Sequence, residues 1–546
     1  MAQKKDSLPT LGLPMNIPLI SAGSFGELRD NHFHAGLDLK TQYREGIPVY
    51  ATEDGYVSRI KIAVWGYGKA LYINHPNGYT TVYGHLSKFS PEIEAHMKNL
   101  IYQKQKHELQ DFPEETEFPI KKGQLIAYSG STGGFVGPHL HYEVRDTKTE
   151  HILNPLSYGI PIEDHTAPKL LAIMVKPGDS SSFVNGLQKA QKLNITKLKN
   201  RNYRTAPVNI QGKGLFQVQA YDIQNSVNNK NGIYQISTYI NDSLIYNQKM
   251  QEFSFAESKQ INLLIDYQKY NRSNQRYQQL YIPESSSLSV YDRTLKSNGL
   301  VQPNKSNESN YKIVLEDYSK NKTNIYIPIV YDNSPKQIIK EDLSLNQTVI
   351  LKDKFYLLEN KNTKIALQKN SFFDDVSLNI TQIKDSIFMD EDRIALNKSF
   401  SIAFKIPKDS IAQLGIVRVD LDGKKSFIKS EYKNQFLTAY TKTLGTYTLA
   451  KDSIAPKVSF YNFKDGQWIS KYKTLKIKIS DQDSGIYSYE AFMDGNWMAL
   501  SFNPKTNLIT YDLKDIPLEG SEHTLEIFIT DLVGNQSNIR ATLYNK

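Results

Sequence analysis

The stretch "STGGFVGPHLHYE" occupies Ser131–Glu143. Gly133, Gly134, Gly137 and Pro138 make a permissive loop, and "PHLHYEVR" (Pro138–Arg145) then alternates apolar and polar residues as a strand does. On a strand, residues i and i+2 face the same way, about 7 Å apart along the chain. His139 and His141 therefore project from one face. The glycines before them let the backbone approach whatever sits there.

Working outward from that strand, the surrounding texture is β. "GYVSRIKI" (Gly55–Ile62) and "KALYINHPNGYTTVYGHL" (Lys69–Leu86) alternate, and Asn77-Gly78 predicts a tight hairpin turn built on positive φ angles. "KKGQLIAYSG" (Lys121–Gly130) is a turn followed by a strand. One segment departs from this pattern. "SPEIEAHMKNLIYQKQKHEL" (Ser90–Leu109) opens with Ser-Pro, carries Glu92 and Glu94 in its first turn and repeats apolar residues at Ile93, Met97, Leu100 and Ile101. That predicts a helix that covers a sheet edge or core, with His96 and His107 on its solvated face. A lid or partner-docking role is the functional alternative.

The chain has 546 residues and 11 histidines, ten of which fall before residue 166. Metal or acid–base chemistry is therefore expected in the N-terminal third. A hydrolytic zinc site needs about three His, Asp or Glu ligands and one open position. His34, Asp38, His85, His139 and His141 are five candidates for those places, with His32 a sixth. His34 and Asp38 are four apart, but Gly36 between them argues for a loop entering a strand, not a helical motif. Spacing alone does not choose among these residues.

The order "FHAGLD … YGHLS … GSTGGFVGPHLHYE … NP" resembles the lysostaphin or LytM-type zinc endopeptidases of peptidoglycan, over about Phe25 to Leu156. The resemblance implies that His34, Asp38 and His141 bind one zinc ion per peptidase domain. It makes His85 and His139 the catalytic imidazoles. Phe135 and Val136 stand where that family often has a small hydroxyl residue, and the helical segment is a further departure. Phe135, Val136 and Tyr83 are expected to line the substrate path. Glu143 and Tyr142 are close by, Tyr142 facing the core.

The remaining two thirds repeat themselves. "DHTAPKLLAIMV" from Asp164, "GIYQISTYIND" from Gly232 and "DYSKNKTNI" from Asp317 recur in order as "DSIAPKVSFYNF" from Asp452, "GIYSYEAFMDG" from Gly485 and "DLVGNQSNI" from Asp531. Short alternating strands between polar turns suggest Ig-like β-sandwiches. "DQDSG" (Asp481–Gly485) reads as an Asx-type turn in preference to a calcium loop. The expected class is mainly β: a tail (1–22), an antiparallel peptidase domain (23–160) with a helical insert at about 90–112, an Ig-like sandwich with insertions (161–335), a β-rich domain (336–451) and a second Ig-like sandwich (452–546).

The composition bounds the function. A net charge of +9 favours anionic partners such as envelope polymers, but no long basic run or recognition motif points to nucleic acid. The absence of cysteine excludes disulfides and thiolate chemistry. No apolar run approaches the ~18 residues of a membrane span. "MAQKKDSLP" at the start reads as the stub beside an export cleavage site, so a periplasmic or envelope location is expected. The expected function is zinc-dependent hydrolysis of peptide bonds in peptidoglycan stems or cross-links. The alternatives are a non-catalytic wall-binding protein or activator of another hydrolase, and an adhesin whose sandwich domains bind envelope polymer or a protein partner.

Overall fold

Five antiparallel strands carry the N-terminal domain in the computed structural model, which describes residues 8–134, 137–225, 227–303, 308–334, 336, 347–389, 394–420 and 422–546. They are β1 (Leu37–Lys40), β2 (Gly55–Ile62), β3 (Lys69–Asn74), β4 (Tyr79–Phe89) and, after a shorter β5 (Leu125–Ser129), β6 (His139–Asp146). Their order across the sheet is β1-β6-β4-β3-β2, so the strand made by the opening stretch lies inside the sheet between β1 and β4. β5 pairs with the far end of β4. The alternation seen in sequence is realised as burial: Leu71, Ile73, Tyr83, Leu140, Tyr142 and Val144 are fully buried in one core. The turn joining β3 to β4 needs one positive φ, at Gly78, and spans His75 to Gly78.

The helix forms where the sequence places its start, but ends earlier. α1 runs Pro91–Lys104, and Gln105 adopts a left-handed conformation that closes it on the Ile101 carbonyl. Leu109–Asp111 then returns as a strand on the edge of β2. The Glu94 carboxylate accepts from the Phe89 N–H at 2.8 Å and from the Lys69 ammonium at 2.7 Å, tying the first turn to the sheet. Ile93 and Met97 are buried in the domain core, so the helix covers the sheet as expected.

The core does not stop at the end of this domain. Residues from Leu11 to Ile329 belong to one continuous hydrophobic cluster. Ile152–Leu153 pairs antiparallel with Glu252–Phe253, and the Phe253 ring stands 4.9 Å from Phe25 and 5.2 Å from Phe33. The peptidase-like sheet and the first repeat copy are therefore fused through both backbone and side chains. Residues 347–451 and 452–546 have separate cores.

The repeat read in sequence is a repeat of topology. In the second copy, Lys457–Phe460, Thr474–Ser480, Leu508–Asp512 and Ser501–Asn503 make one sheet, and Ile486–Met493, Glu522–Asp531 and Gln536–Tyr544 lie in another. Leu475, Ile477 and Ile479 of the first sheet share a core with Leu525, Ile527 and Ile529 of the second, as in a sandwich. The first copy pairs Lys169–Pro177 with Gly214–Tyr221 and stacks Gln235–Ile240, Ser309–Glu316 and Lys322–Tyr331 beside them. No helix among the described residues is long and apolar enough to cross a membrane.

The second copy folds back onto α1. Asp515 meets Lys98 and, at 3.4 Å, Tyr102. The His107 ring stacks against Tyr489 and Trp497, 5.0 and 4.8 Å between ring centres, and its Nδ1 accepts from the Leu500 N–H. His107 is thus not the solvated residue expected from sequence: it is the contact between two domains. His96 is half-buried and bonded to Asp111 at 2.7 Å.

Candidate metal centre

Register places the first pair. β6 and β1 run antiparallel with His141 opposite Asp38, so their side chains share a face, and His141 Nδ1 lies 2.9 Å from Asp38 Oδ1. His34 arrives from the loop before β1. Its Nε2 is 3.0 Å from the same carboxylate oxygen and 3.1 Å from His141 Nδ1. Gly36 makes this approach possible: a Cβ there would collide with the Tyr142 carbonyl of β6. His34, Asp38 and His141 are all buried.

His85 and His139 complete the cluster. His85 has φ +59°, a left-handed conformation in the middle of β4, beside a shift in the pairing of β4 with its neighbours. That irregularity turns the imidazole toward β6, with its ring 4.6 Å from that of His139 and 5.7 Å from that of His141. His139 Nε2 lies 3.6 Å from Asp38 Oδ1.

Each imidazole has its other nitrogen anchored. His34 Nδ1 donates to the Ser24 carbonyl at 2.8 Å, His85 Nδ1 to that of Thr132 at 2.8 Å and His139 Nδ1 to that of Gly137 at 3.0 Å. A carbonyl can only accept, so in each case Nε2 faces the centre of the cluster. His141 is reversed: its Nε2 donates to Glu143 Oε1 at 2.7 Å and Nδ1 faces inward. Glu143 is itself held by Arg145 at 2.6 Å and by the Tyr67 hydroxyl. The Asp38 carboxylate is shared the same way, Oδ1 inward and Oδ2 on the Arg29 guanidinium at 2.7 Å.

The electrostatics follow from burial and these partners. Burial pushes His85 down to about 3, helped by His141 and His139 beside it. Burial also lowers His34 and His139. Burial alone would raise the Asp38 carboxyl, yet His34 and His141 hold it well below the usual range. His141 goes the other way: against burial, Asp38 and Glu143 push it up to about 9. Burial opposes Glu143 too, but Arg145 and His141 bring it down to about 2.

The residues singled out in sequence fall into three groups. His34, Asp38, His141, His85 and His139 come together. Tyr83 does not join them: it is fully buried, and its hydroxyl takes the Thr52 N–H at 3.0 Å on the core side of the sheet, so a substrate cannot reach it. Tyr142 also faces the core, 2.9 Å from the Thr52 hydroxyl, and His32 is exposed. Phe135 and Val136 lie outside the described residues. Tyr67, Arg29 and Arg145 were not found by sequence reasoning. Arg145 could have been, because 139, 141, 143 and 145 share one face of an alternating strand. Tyr67, whose ring stacks on His141 at 4.8 Å, comes from a turn and Arg29 from the two-residue strand Leu28–Arg29, and neither leaves a periodic signal.

A model of Peptidase family M23 matches residues 32–106. The N-terminal domain is of the M23 type. The matched span carries His34, Asp38 and His85, and β6 brings His139 and His141 to them. A Zu5-like domain model matches residues 347–452. Among curated relatives, the DD-carboxypeptidase/endopeptidase Mpg of Neisseria meningitidis is 32% identical over 160 residues, 29% of this chain and 28% of that protein. The peptidoglycan DD-endopeptidase ShyB of Vibrio cholerae is 35% identical over 111 residues, 20% of each. The chain thus spans less than a third of the length of these relatives. The solved catalytic domain of the M23 protein EnpA from Enterococcus faecalis aligns over 28% of this chain and 98% of its own, at 23% identity and a TM-score of 0.20.

Proposed function

We propose that this chain is a zinc-dependent endopeptidase that hydrolyses peptide bonds in the stem peptides or cross-links of peptidoglycan, acting in the periplasm or cell envelope. One observation carries the reading. Two imidazole nitrogens and one carboxylate oxygen, from His34, His141 and Asp38, converge within 3.1 Å in a buried site, with two further imidazoles against them. That donor set, two neutral nitrogens and one anionic oxygen, suits zinc and leaves a position for substrate. The M23 match and the endopeptidase relatives support the same chemistry.

Zinc held by His34, Asp38 and His141 would supply Lewis acidity toward the scissile carbonyl. The protein supplies the proton handling. His85 is neutral at pH 7, because its environment lowers it to about 3. With Nδ1–H fixed on Thr132, its Nε2 can take a proton from the attacking water. His139, fixed through Gly137 with its own Nε2 turned to the centre, stands beside it to hold the water, and the proton that His85 takes from the water is the one it returns to the leaving amine. Glu143 and Arg145 orient His141 and touch no substrate. The basic surface would favour anionic wall polymers, and the sandwich domains would dock the enzyme on envelope polymer or a protein partner.

The test is elemental analysis of wild type and His141→Ala, together with muropeptide profiling of digested peptidoglycan. One zinc per chain, lost in the variant along with new cleavage products, is the expected result. Absence of zinc from metal-supplemented protein would overturn the assignment. Zinc without any cleavage product would favour the wall-binding alternative.

A further inference from the structure

Outside the imidazole cluster, Asp164, Asp222 and Asp317 bring one carboxylate oxygen each within 4.8 Å of one another, and all three are buried. Asp164 opens "DHTAPK", Asp222 follows the strand Gly214–Tyr221 and Asp317 opens "DYSKN". Burying three carboxylates together is strongly unfavourable unless a cation or protons compensate. The charges facing Asp222 are those of Asp317 and Asp164, and with burial they hold its carboxyl up at about 8.

A second observation says what is missing. Asn231 is 3% exposed, yet neither its Oδ1 nor its Nδ2 meets a hydrogen-bond partner among the described residues. Asp222 Oδ1 is equally buried and equally without one. Asn231, Asp164 and Asp222 line the same cavity, about 40 Å³ in volume, room for one ion. Carboxylate and amide oxygens are the hard donors that calcium takes, six to eight at a time and in flexible geometry, at about 2.3–2.6 Å. Oxygens around magnesium are closer, at bonds of about 2.1 Å, and magnesium prefers to keep its waters.

The second copy provides the contrast. Asp452, Asp481 and Asp531 occupy the same positions. The difference lies at Asp481, which accepts from the Asp483 and Gly485 N–H groups where Asp222 Oδ1 has no partner among the described residues; Asp452 accepts from Ile454 and Asp531 from Asn535 much as Asp164 accepts from Thr166 and Asp317 from Asn321 in the first copy.

We propose that Asp164, Asp222, Asp317 and the Asn231 side-chain oxygen form a site for a hard divalent cation of the calcium class. The site is a clasp between two domains. Ser24 and Phe25 of the peptidase-like domain form another wall of the cavity. The Ser24 hydroxyl accepts from the Gly232 N–H at 2.9 Å, next in sequence to Asn231. The Ser24 carbonyl is the group that orients His34. A cation here would fix the first sandwich against the loop that sets one proposed zinc ligand.

The experiment titrates calcium chloride into the full chain, loaded with zinc and freed of calcium, by calorimetry. Terbium luminescence serves as a second probe, excited through Tyr234 and Tyr318, which line the same cavity. One saturable site with a dissociation constant of about 10⁻⁴ M or tighter is expected. Asp222→Asn and Asn231→Ala should each weaken it about tenfold or more, since ligand charge and number set affinity. Asp481→Asn should leave it unchanged. In calcium-free buffer Asp222→Asn should melt no lower than wild type, because it removes a buried repulsion, which separates lost binding from lost folding. No saturable binding by about 10 mM calcium, far above the range for such modules, would overturn the proposal and leave protons as the compensating charge. Wild-type affinity in a folded Asp222→Asn, or loss in Asp481→Asn instead, would overturn it as well. None of these readouts depends on peptidase activity.

Discussion

The Glu143 carboxylate works through three contacts: it receives His141 Nε2–H, and it is fixed by Arg145 and Tyr67. Replacing it by glutamine keeps the shape and removes the charge, so Glu143→Gln should weaken zinc affinity by about 10–100-fold, measured by competition with a chelator. The same residue sets a proton count. In the metal-free protein His141 is raised to about 9 and holds a proton on the nitrogen that faces the metal position. Zinc uptake at pH 7 should therefore release about one proton, read from calorimetry in buffers of different ionisation enthalpy, and the release should vanish well above pH 9. His85 gives the opposite slope. Its folded value is about 3 against an unfolded value near 6.5, so between those values the unfolded state binds more protons and stability falls as pH falls. His85→Gln removes that term. Relative to wild type it should gain stability between pH 7 and pH 4, measured as a narrowing or reversal of the gap in urea midpoints.

At the scale of elements, the site is a register problem. His141 meets Asp38 only because β6 and β1 pair as they do, and Gly36 lets the two backbones come close. Gly36→Ala should cost about 1–3 kcal/mol of stability through overpacking and should abolish zinc binding by displacing Asp38, checked by chemical unfolding and metal analysis. This also marks how far the sequence could be read. Alternation identified β2, β3, β4 and β6, because apolar side chains that alternate along a strand, such as Leu71 and Ile73 of β3 or Leu140, Tyr142 and Val144 of β6, enter one core. The two histidines of β6 were legible for the same reason. Tyr83 was misplaced because alternation says which residues share a face but not which face is the core. His85 projects into the site only through its left-handed backbone, which no periodic pattern announces. The end of α1 was overrun because Gln105, which closes it, is an ordinary helix-forming residue.

At the scale of the whole molecule, the repeat was visible as three landmarks in order, whereas the contacts between domains were not. His107 looked solvated because its stacking partners, Tyr489 and Trp497, lie nearly four hundred residues away in sequence. The fusion of the first two domains was hidden for the same reason: Phe253 completes a cluster begun by Phe25 and Phe33. That fusion governs how the chain comes apart. A stretch that shares one core melts as one unit, since no part can open without exposing the rest. Scanning calorimetry should accordingly resolve three cooperative transitions, with the peptidase-like domain and the first sandwich melting together. A fragment cut at residue 160 should be insoluble, its orphaned Phe25 and Phe33 and its unpaired Ile152–Leu153 edge open to association. In this protein the unit of folding is larger than the unit of chemistry.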